Sequence, residues 1–375
     1  MDAYDYKIEK LERIGSVLIS LLLLSKNFLQ LSSFIFGNTT VFKAIFVLLG
    51  IYALIKFHWV LYKKDAVLFL IVFLFFVGTY IFNDNSSLLD NLIYFLIYGL
   101  AGYAYSFCLV RESLIIKNCT LIGLFWLLLY LYNNNFIITD GFSFGYLMLP
   151  LAISSFLWFA QNNQHLLSRI FKLIIFVICS LLIFFNGSRG PIACYVMSLM
   201  IYAFQFIKYS NKKVPILIMF FLVFLLILNY RTIIVGIYNA FPGKISFIDK
   251  SYILLSMENG ITNGRIGIVE SIFKEYDIFH LLTGIGIGTY ESTHIVEGYT
   301  HNVVFSLLLD FGLIGIVIIC QIFYKVFSLI YRYRDDYLVL LFSTSVLPLM
   351  FSGTYWQSFP FWLLIFTCAK ITKKV

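Results

Sequence analysis

An all-α, polytopic membrane bundle is the fold class this sequence predicts, and three observations predict it. Hydrophobic residues make up 61% of the chain and charged residues only 12%, where soluble proteins average about 25% charged. Mean hydropathy is +0.91. Apolar runs long enough to cross a bilayer recur along almost the whole length, since a hydrocarbon core of about 30 Å takes roughly 20 helical residues. The chain therefore reads as a single integral membrane domain, 1–375, with about twelve transmembrane helices.

The runs lie near 14–36, 41–60, 65–83, 89–110, 114–132, 143–160, 170–186, 190–208, 214–230, 303–325, 337–352 and 356–370. Only Asn186 to Gly190 separates the seventh from the eighth. Between the ninth and tenth lies the one large polar stretch, Arg231 to Asn302. It reads as a loop holding short helices, and a lipid-embedded protein with one such loop is expected to work there.

Charge orients the bundle. Lys7, Lys10 and Arg13 precede the first run, and Lys56, Lys63 and Lys64 follow the second. Arg111 and Lys117, then Arg169 and Lys172, then Lys208, Lys212 and Lys213 mark every other connection onward. Lys325, Arg332 and Arg334 continue the series, and Lys370, Lys373 and Lys374 end it. Positive charge collects on the cytoplasmic side, so both termini are expected there. The opposite connections at 83–87, 133–140 and 352–355 carry no positive charge. Arg189 and the large loop are exceptions on the outer side, where an arginine is not a topology signal.

The same pattern excludes other classes. A net charge of +8 is accounted for by residues flanking spans, not by a nucleic-acid surface. Cys108, Cys119, Cys179, Cys194, Cys320 and Cys368 sit in or beside apolar runs without a CxxC, which indicates neither a disulfide framework nor a zinc site. The charged segment Met1 to Arg13 and the first run lack the pattern of a cleavable signal.

Four segments carry chemistry. In Ser188-Arg189-Gly190-Pro191, serine suits a helix N-cap and proline the first turn. Arg189 then stands at a helix mouth, where free N–H groups and the dipole favour an anion. An interfacial arginine reaching lipid phosphates is the alternative. Asn263 can cap a helix from Gly264 to Tyr276, with Ile266, Val269, Ile272, Phe273 and Tyr276 on one side. Arg265 in its first turn opposes the dipole unless an anion joins it; standing alone it would be a solvated surface arginine. Gly284-Ile285-Gly286-Ile287-Gly288 is not a dinucleotide fingerprint, but a tight turn that lets backbone approach a ligand or the membrane surface. His301-Asn302 closes the loop, and an imidazole there can act as a base near neutral pH. Standing alone, it is a packing or capping histidine. Asp310 and Lys26 are charges inside apolar runs. Such charges are costly and often functional; Asp310 supports a polar pocket below His301 or pairs with Lys26.

In this order, Ser188-Arg189-Gly190, Asn263-Gly264-Arg265, the Gly284 to Gly288 series, His301-Asn302 and Asp310-Phe311-Gly312-Leu313-Ile314-Gly315 resemble the membrane O-antigen ligase and Wzy-type polysaccharide polymerase superfamily. The residue-level likeness covers about 188–315; beyond it only hydropathy agrees, and Asp310 stands where Glu is the commoner residue. The resemblance implies a GT-C-like, inverting glycosyltransferase at the outer face of the cytoplasmic (inner) membrane, acting on glycans carried by undecaprenyl pyrophosphate. It implies Arg189 and Arg265 on the pyrophosphate and His301 as the base activating the acceptor hydroxyl. Ser188, Gly190, Asn263, Gly284, Gly286, Gly288, Asn302 and Asp310 would shape the substrate site. It implies no metal or other cofactor, membrane lipids as surroundings, and a chain-length regulator and flippase of the same pathway as partners.

Three functions follow. A polymerase of O-antigen or capsular repeat units is favoured by the short, aromatic-rich chain, with Phe 41 and Tyr 26. An O-antigen ligase, passing the glycan to a lipid A core sugar, would use the same chemistry. A transporter or flippase would place its polar residues at mid-membrane within repeated halves, and no internal repeat is present.

Overall fold

The computed structural model describes residues 3–37, 40–57, 63–83, 87–133, 141–161, 165–185, 189–207, 229–242, 248–249, 252–253, 256, 265–293, 300 and 302–371. The described residues are mainly helical, with no strand among them. The ninth apolar run, 214–230, lies almost wholly outside them, as do Ser188, Asn263, Gly264 and His301.

The chain divides into two compact units, one from 1–46, 109–261 and 329–344, the other from 47–108, 262–328 and 345–375. In the first, α1 (Ala3–Leu23), α2 (Ser25–Phe36), α6 (Glu112–Asn133), α7 (Gly141–Ala160), α8 (Leu166–Phe185) and α9 (Arg189–Ile207) pack with α7 against α6, α8 and α9. Hydrophobic burial gives little drive between helices in lipid, so close approach and internal hydrogen bonds matter more. Both are present. A side chain at Gly123 would come within 3.1 Å of Leu151. Thr120 donates to Ser154 at 3.1 Å, and the Asn27 amide donates to the Leu147 carbonyl at 2.9 Å.

The first apolar run is two helices, bent by 57° at Leu24. Ser20 returns a hydrogen bond to the Ser16 carbonyl at 2.8 Å, a pattern that bends helices, while Asn27 ties the second arm to α7. The closely spaced seventh and eighth runs are separate helices, α8 and α9.

The second unit contains α4 (Lys63–Asn83), α5 (Ser87–Tyr105) and α17 (Phe359–Ile371). Gly102 brings α5 against α17 at backbone distance: a Cβ there would lie 2.6 Å from that of Trp362 and 2.8 Å from the Leu363 nitrogen. Phe69, Phe95, Tyr103 and Phe366 fill the space alongside. The loop contributes α11 (Arg265–Glu275), α12 (Ile278–Thr283) and α13 (Thr289–Thr293); α10 (Tyr230–Ala240) belongs to the first unit.

The tenth run departs from the sequence expectation. In place of one helix over 303–325, the chain forms α14 (Val303–Phe311), then α15 (Leu313–Tyr333). Gly312 between them has φ +62, and a side chain on it would strike the Leu282 carbonyl. The span is therefore Leu313–Tyr333, and Asp310 lies on the short helix before it. The last elements are α16 (Asp336–Leu349), a 3-10 turn at Tyr355–Gln357, and α17.

Among the described residues, Glu112–Tyr132, Leu166–Phe184 and Leu313–Tyr333 are long and apolar enough to cross a bilayer alone. The bent α1–α2 pair makes a fourth candidate, and shorter apolar helices fall on the third, sixth, eighth, eleventh and twelfth runs. All six cysteines are free.

Candidate functional site

Arg189 and Arg265 each open a helix, α9 and α11, the position the Ser188 and Asn263 motifs lead one to expect. Arg189 and the buried Gly190 belong to the first unit, Arg265 to the second. The structure brings together the remaining motifs of the second unit.

α11 is held by one stripe of side chains. Ile272 is fully buried with Tyr290 of α13 and Leu309 of α14, and Ile268, Tyr276, Leu281, Ile285 and Phe305 pack around them. Burying an isoleucine or leucine is worth roughly 1.5–3 kcal/mol, so this small core fixes Arg265's helix on α14. The stripe is Ile268-Ile272-Tyr276, a four-residue repeat, rather than the broader face expected with Phe273. Phe273 is 55% exposed, and its ring meets that of Phe305 edge to face at 6.4 Å.

The glycine series and the Asp310 to Gly315 segment are two halves of one lock. Gly284, Gly286 and Gly288 all have positive φ, +84, +96 and +73. A Cβ on Gly284 would lie 2.7 Å from the Asp310 carbonyl and 2.8 Å from the Gly312 nitrogen; one on Gly286 would lie 2.6 Å from Thr79 Oγ1. The Ile285 N–H donates to the Leu309 carbonyl at 2.6 Å. The Gly288 N–H donates to Asp310 Oδ1 at 3.1 Å, and the Ile287 N–H donates to Thr79 Oγ1 at 3.2 Å. The close approaches these glycines permit are thus to the protein's own α14 and α4. A side chain at Gly315 would meet the Leu307 carbonyl, which seats α15 under the same helix.

Asp310 is buried, and its second oxygen accepts from the Tyr355 hydroxyl at 2.8 Å. Its hydrogen-bond partners among the described residues are the Tyr355 hydroxyl and the Gly288 N–H; Lys26 belongs to the other unit. Tyr355 was invisible to a search for charge, and the uncharged connection carrying it gave no signal beyond its outward placement.

The residues flanking His301 are tied to the start of α14. Asn302 Oδ1 accepts from the Val304 N–H at 2.8 Å, an N-cap. Thr300 is buried; its hydroxyl donates to the Asn302 carbonyl at 3.1 Å and lies 2.6 Å from Ser306 Oγ. Asn302, expected to bind substrate, thus commits its oxygen to the helix.

At the near end of the glycine series, Asp277 caps α12, accepting from the His280 N–H at 2.9 Å and contacting its ring at 2.6 Å. Those hydrogen bonds to His280 hold the Asp277 carboxyl below its ordinary range. Among the described residues, no group of three His, Cys, Asp or Glu side chains could hold a metal ion.

Residues 174–320 match the O-antigen ligase family, Wzy_C. The match bears out the resemblance read from the sequence over that segment, and the apolar helices are those of a membrane protein. Arg189, Arg265, His301 and the whole lock from Gly284 to Gly315 fall inside the Wzy_C segment. No curated protein matches the chain.

Proposed function

We propose that this protein polymerises lipid-linked oligosaccharide repeat units at the outer face of the cytoplasmic membrane, as a GT-C-like glycosyltransferase of about twelve spans. The observation that carries the reading is the Wzy_C match over 174–320, because that one stretch contains all the residues to which the chemistry is assigned.

In the proposed reaction an acceptor sugar hydroxyl attacks the anomeric carbon of a glycan carried on undecaprenyl pyrophosphate. The new glycosidic bond forms as the bond from that carbon to the pyrophosphate oxygen breaks. The hydroxyl proton passes to His301, and the electron pair leaves with undecaprenyl pyrophosphate. Arg189 and Arg265 oppose the charge that grows on the leaving group, which is electrostatic stabilisation of the transition state. Attack from the opposite face inverts the anomeric centre, and the arginines take the role a divalent metal would otherwise have. The glycine lock and Asp310 hold the loop against α14, the helix that follows His301 in the sequence. Both termini would lie in the cytoplasm and the loop outside.

The test is a surface-polysaccharide gel of a deletion strain complemented with wild type or His301→Ala. A product of one repeat unit on its core, with no ladder restored by His301→Ala, is the expected result. A full ladder from His301→Ala would refute the base assignment. The second reading, ligase, is favoured by the description of the matched family itself. It is supported if the deletion leaves a bare core and lipid-linked chains of many lengths accumulate.

A further inference from the structure

α15 and α17 face each other across a cavity of about 410 Å³, lined by apolar side chains that include Ile318, Ile322, Trp362 and Ile365. It follows α15 from Ile318 to Val326 and α17 from Phe361 to Ala369, about 12 Å of each helix at 1.5 Å per residue. It is therefore elongated along the two helices, with the volume to take a hydrocarbon chain. Tyr355 closes the end nearest the lock, and Lys325 stands at the other.

Lys325 is the feature that names an occupant. It lies about 10 Å inside Arg332 along α15, short of the basic cluster that ends the helix. It has no hydrogen bond, ion pair or ring contact among the described residues. Gln321, one turn above it, is also without a partner among them. A cation at that depth in hydrocarbon is costly unless paired, and beyond Gln321, Lys325 and Tyr355 the slot is lined mainly by alkyl and aromatic groups. A ligand that suits both is an anion attached to an aliphatic chain. Anionic headgroups are concentrated on the cytoplasmic leaflet, the side at which α15 ends under the orientation proposed above, on which this leaflet assignment rests. The pyrophosphate of a lipid-linked glycan would enter from the opposite face and leave Lys325 unpaired.

We propose that this slot binds an anionic phospholipid, with the phosphate on Lys325 and one acyl chain between α15 and α17. The test is native mass spectrometry of the full chain in detergent, offered phosphatidylglycerol, phosphatidylethanolamine and undecaprenyl phosphate separately at equal concentration. Phosphatidylglycerol is expected to be retained best. Lys325→Gln is expected to lower its retention about tenfold, the loss of one charge-assisted contact, and Lys325→Arg to keep it. Ala369→Phe, which fills the slot near its charged end, is expected to displace the lipid. Equal retention of the two phospholipids would overturn the proposal, as would preference for undecaprenyl phosphate or retention untouched by both Lys325→Gln and Ala369→Phe. Because lipid retention is read without glycan, a failed glycosyl-transfer assay leaves this result standing. A cysteine at Arg334 (Arg334→Cys) labelled from outside the cell would overturn the orientation, and with it the cytoplasmic-leaflet assignment.

Discussion

Replacing Gly284 by alanine puts the lock between loop and helix to a direct test. Gly284 has φ 84 and ψ 157, a region essentially reserved for glycine, where a side chain costs on the order of 1–3 kcal/mol. The added Cβ would also lie 2.7 Å from the Asp310 carbonyl and 2.8 Å from the Gly312 nitrogen. Both are backbone atoms that no rotamer change can move aside, so overpacking adds roughly 1–3 kcal/mol. The sum, about 2–6 kcal/mol, is a large share of the 5–15 kcal/mol typical of a folded domain. Gly284→Ala should therefore detach the glycine series from α14 and abolish the polysaccharide ladder. Thermal unfolding in detergent and the gel would be read together. Gly236→Ala is the matched control: Gly236 is inside α10 with nothing within 4 Å of its Cβ position, and alanine there should be neutral or gain about 0.5–1 kcal/mol. Wild-type melting and a full ladder from Gly284→Ala would refute the docking described here.

Three other outcomes follow from the same geometry. Tyr355→Phe removes one of two donors to buried Asp310 and should cost about 1–3 kcal/mol in a denaturation series, with a smaller loss in Asp310→Asn/Tyr355→Phe together than the two singles imply. Asn302→Ala should cost about 0.5–2 kcal/mol as a lost cap, and Asn302→Asp should restore both stability and ladder; a ladder lost in Asn302→Asp despite normal melting would instead place the amide on substrate. Because Asp277 is depressed in the folded protein, its cap contributes above the ordinary carboxylate range and is lost as pH falls through the folded value, so the amide protection factors across Ile278–Thr283, taken against the intrinsic rate at each pH, should fall on acidification, and Asp277→Asn should flatten that dependence.

Much of the site could be read before any coordinates. Helix starts at Arg189 and Arg265 followed from small polar residues before an apolar periodicity, a local rule that tertiary packing did not override. The tight turn at Gly284, Gly286 and Gly288 was equally local, whereas the Asn302 cap went unread because Asn302 was assigned to substrate. What hid was every feature decided at a distance. Glycine inside a membrane run is ordinary, so hydropathy carried 303–325 through Gly312; the helix ends at that glycine's positive φ, where the Leu282 carbonyl leaves no room for a side chain. Two motifs that looked independent, the glycine series and Asp310 to Gly315, are mates because each supplies the close approach the other needs. Tyr355 escaped notice because a neutral hydroxyl in an uncharged turn resembles many tyrosines at a membrane surface. Helical spacing grouped Phe273 with Ile272 and Tyr276, whereas the face packed against Tyr290 and Leu309 is the stripe Ile268-Ile272-Tyr276.

The contact at Gly102 bears on the order in which the protein can be made. α5 emerges early in synthesis, yet the backbone it is shaped to receive, at Trp362 and Leu363, is translated some 260 residues later. Until then the groove over Gly102, with Phe95 and Tyr103 beside it, faces lipid or whatever assists insertion. The second unit, assembled from three separate stretches of sequence, therefore closes only after the first unit's segments have been threaded through the membrane. A ribosome halted before Phe359 would leave a protein whose α5 has no backbone to close against at Gly102, a target for membrane proteases rather than a slow enzyme.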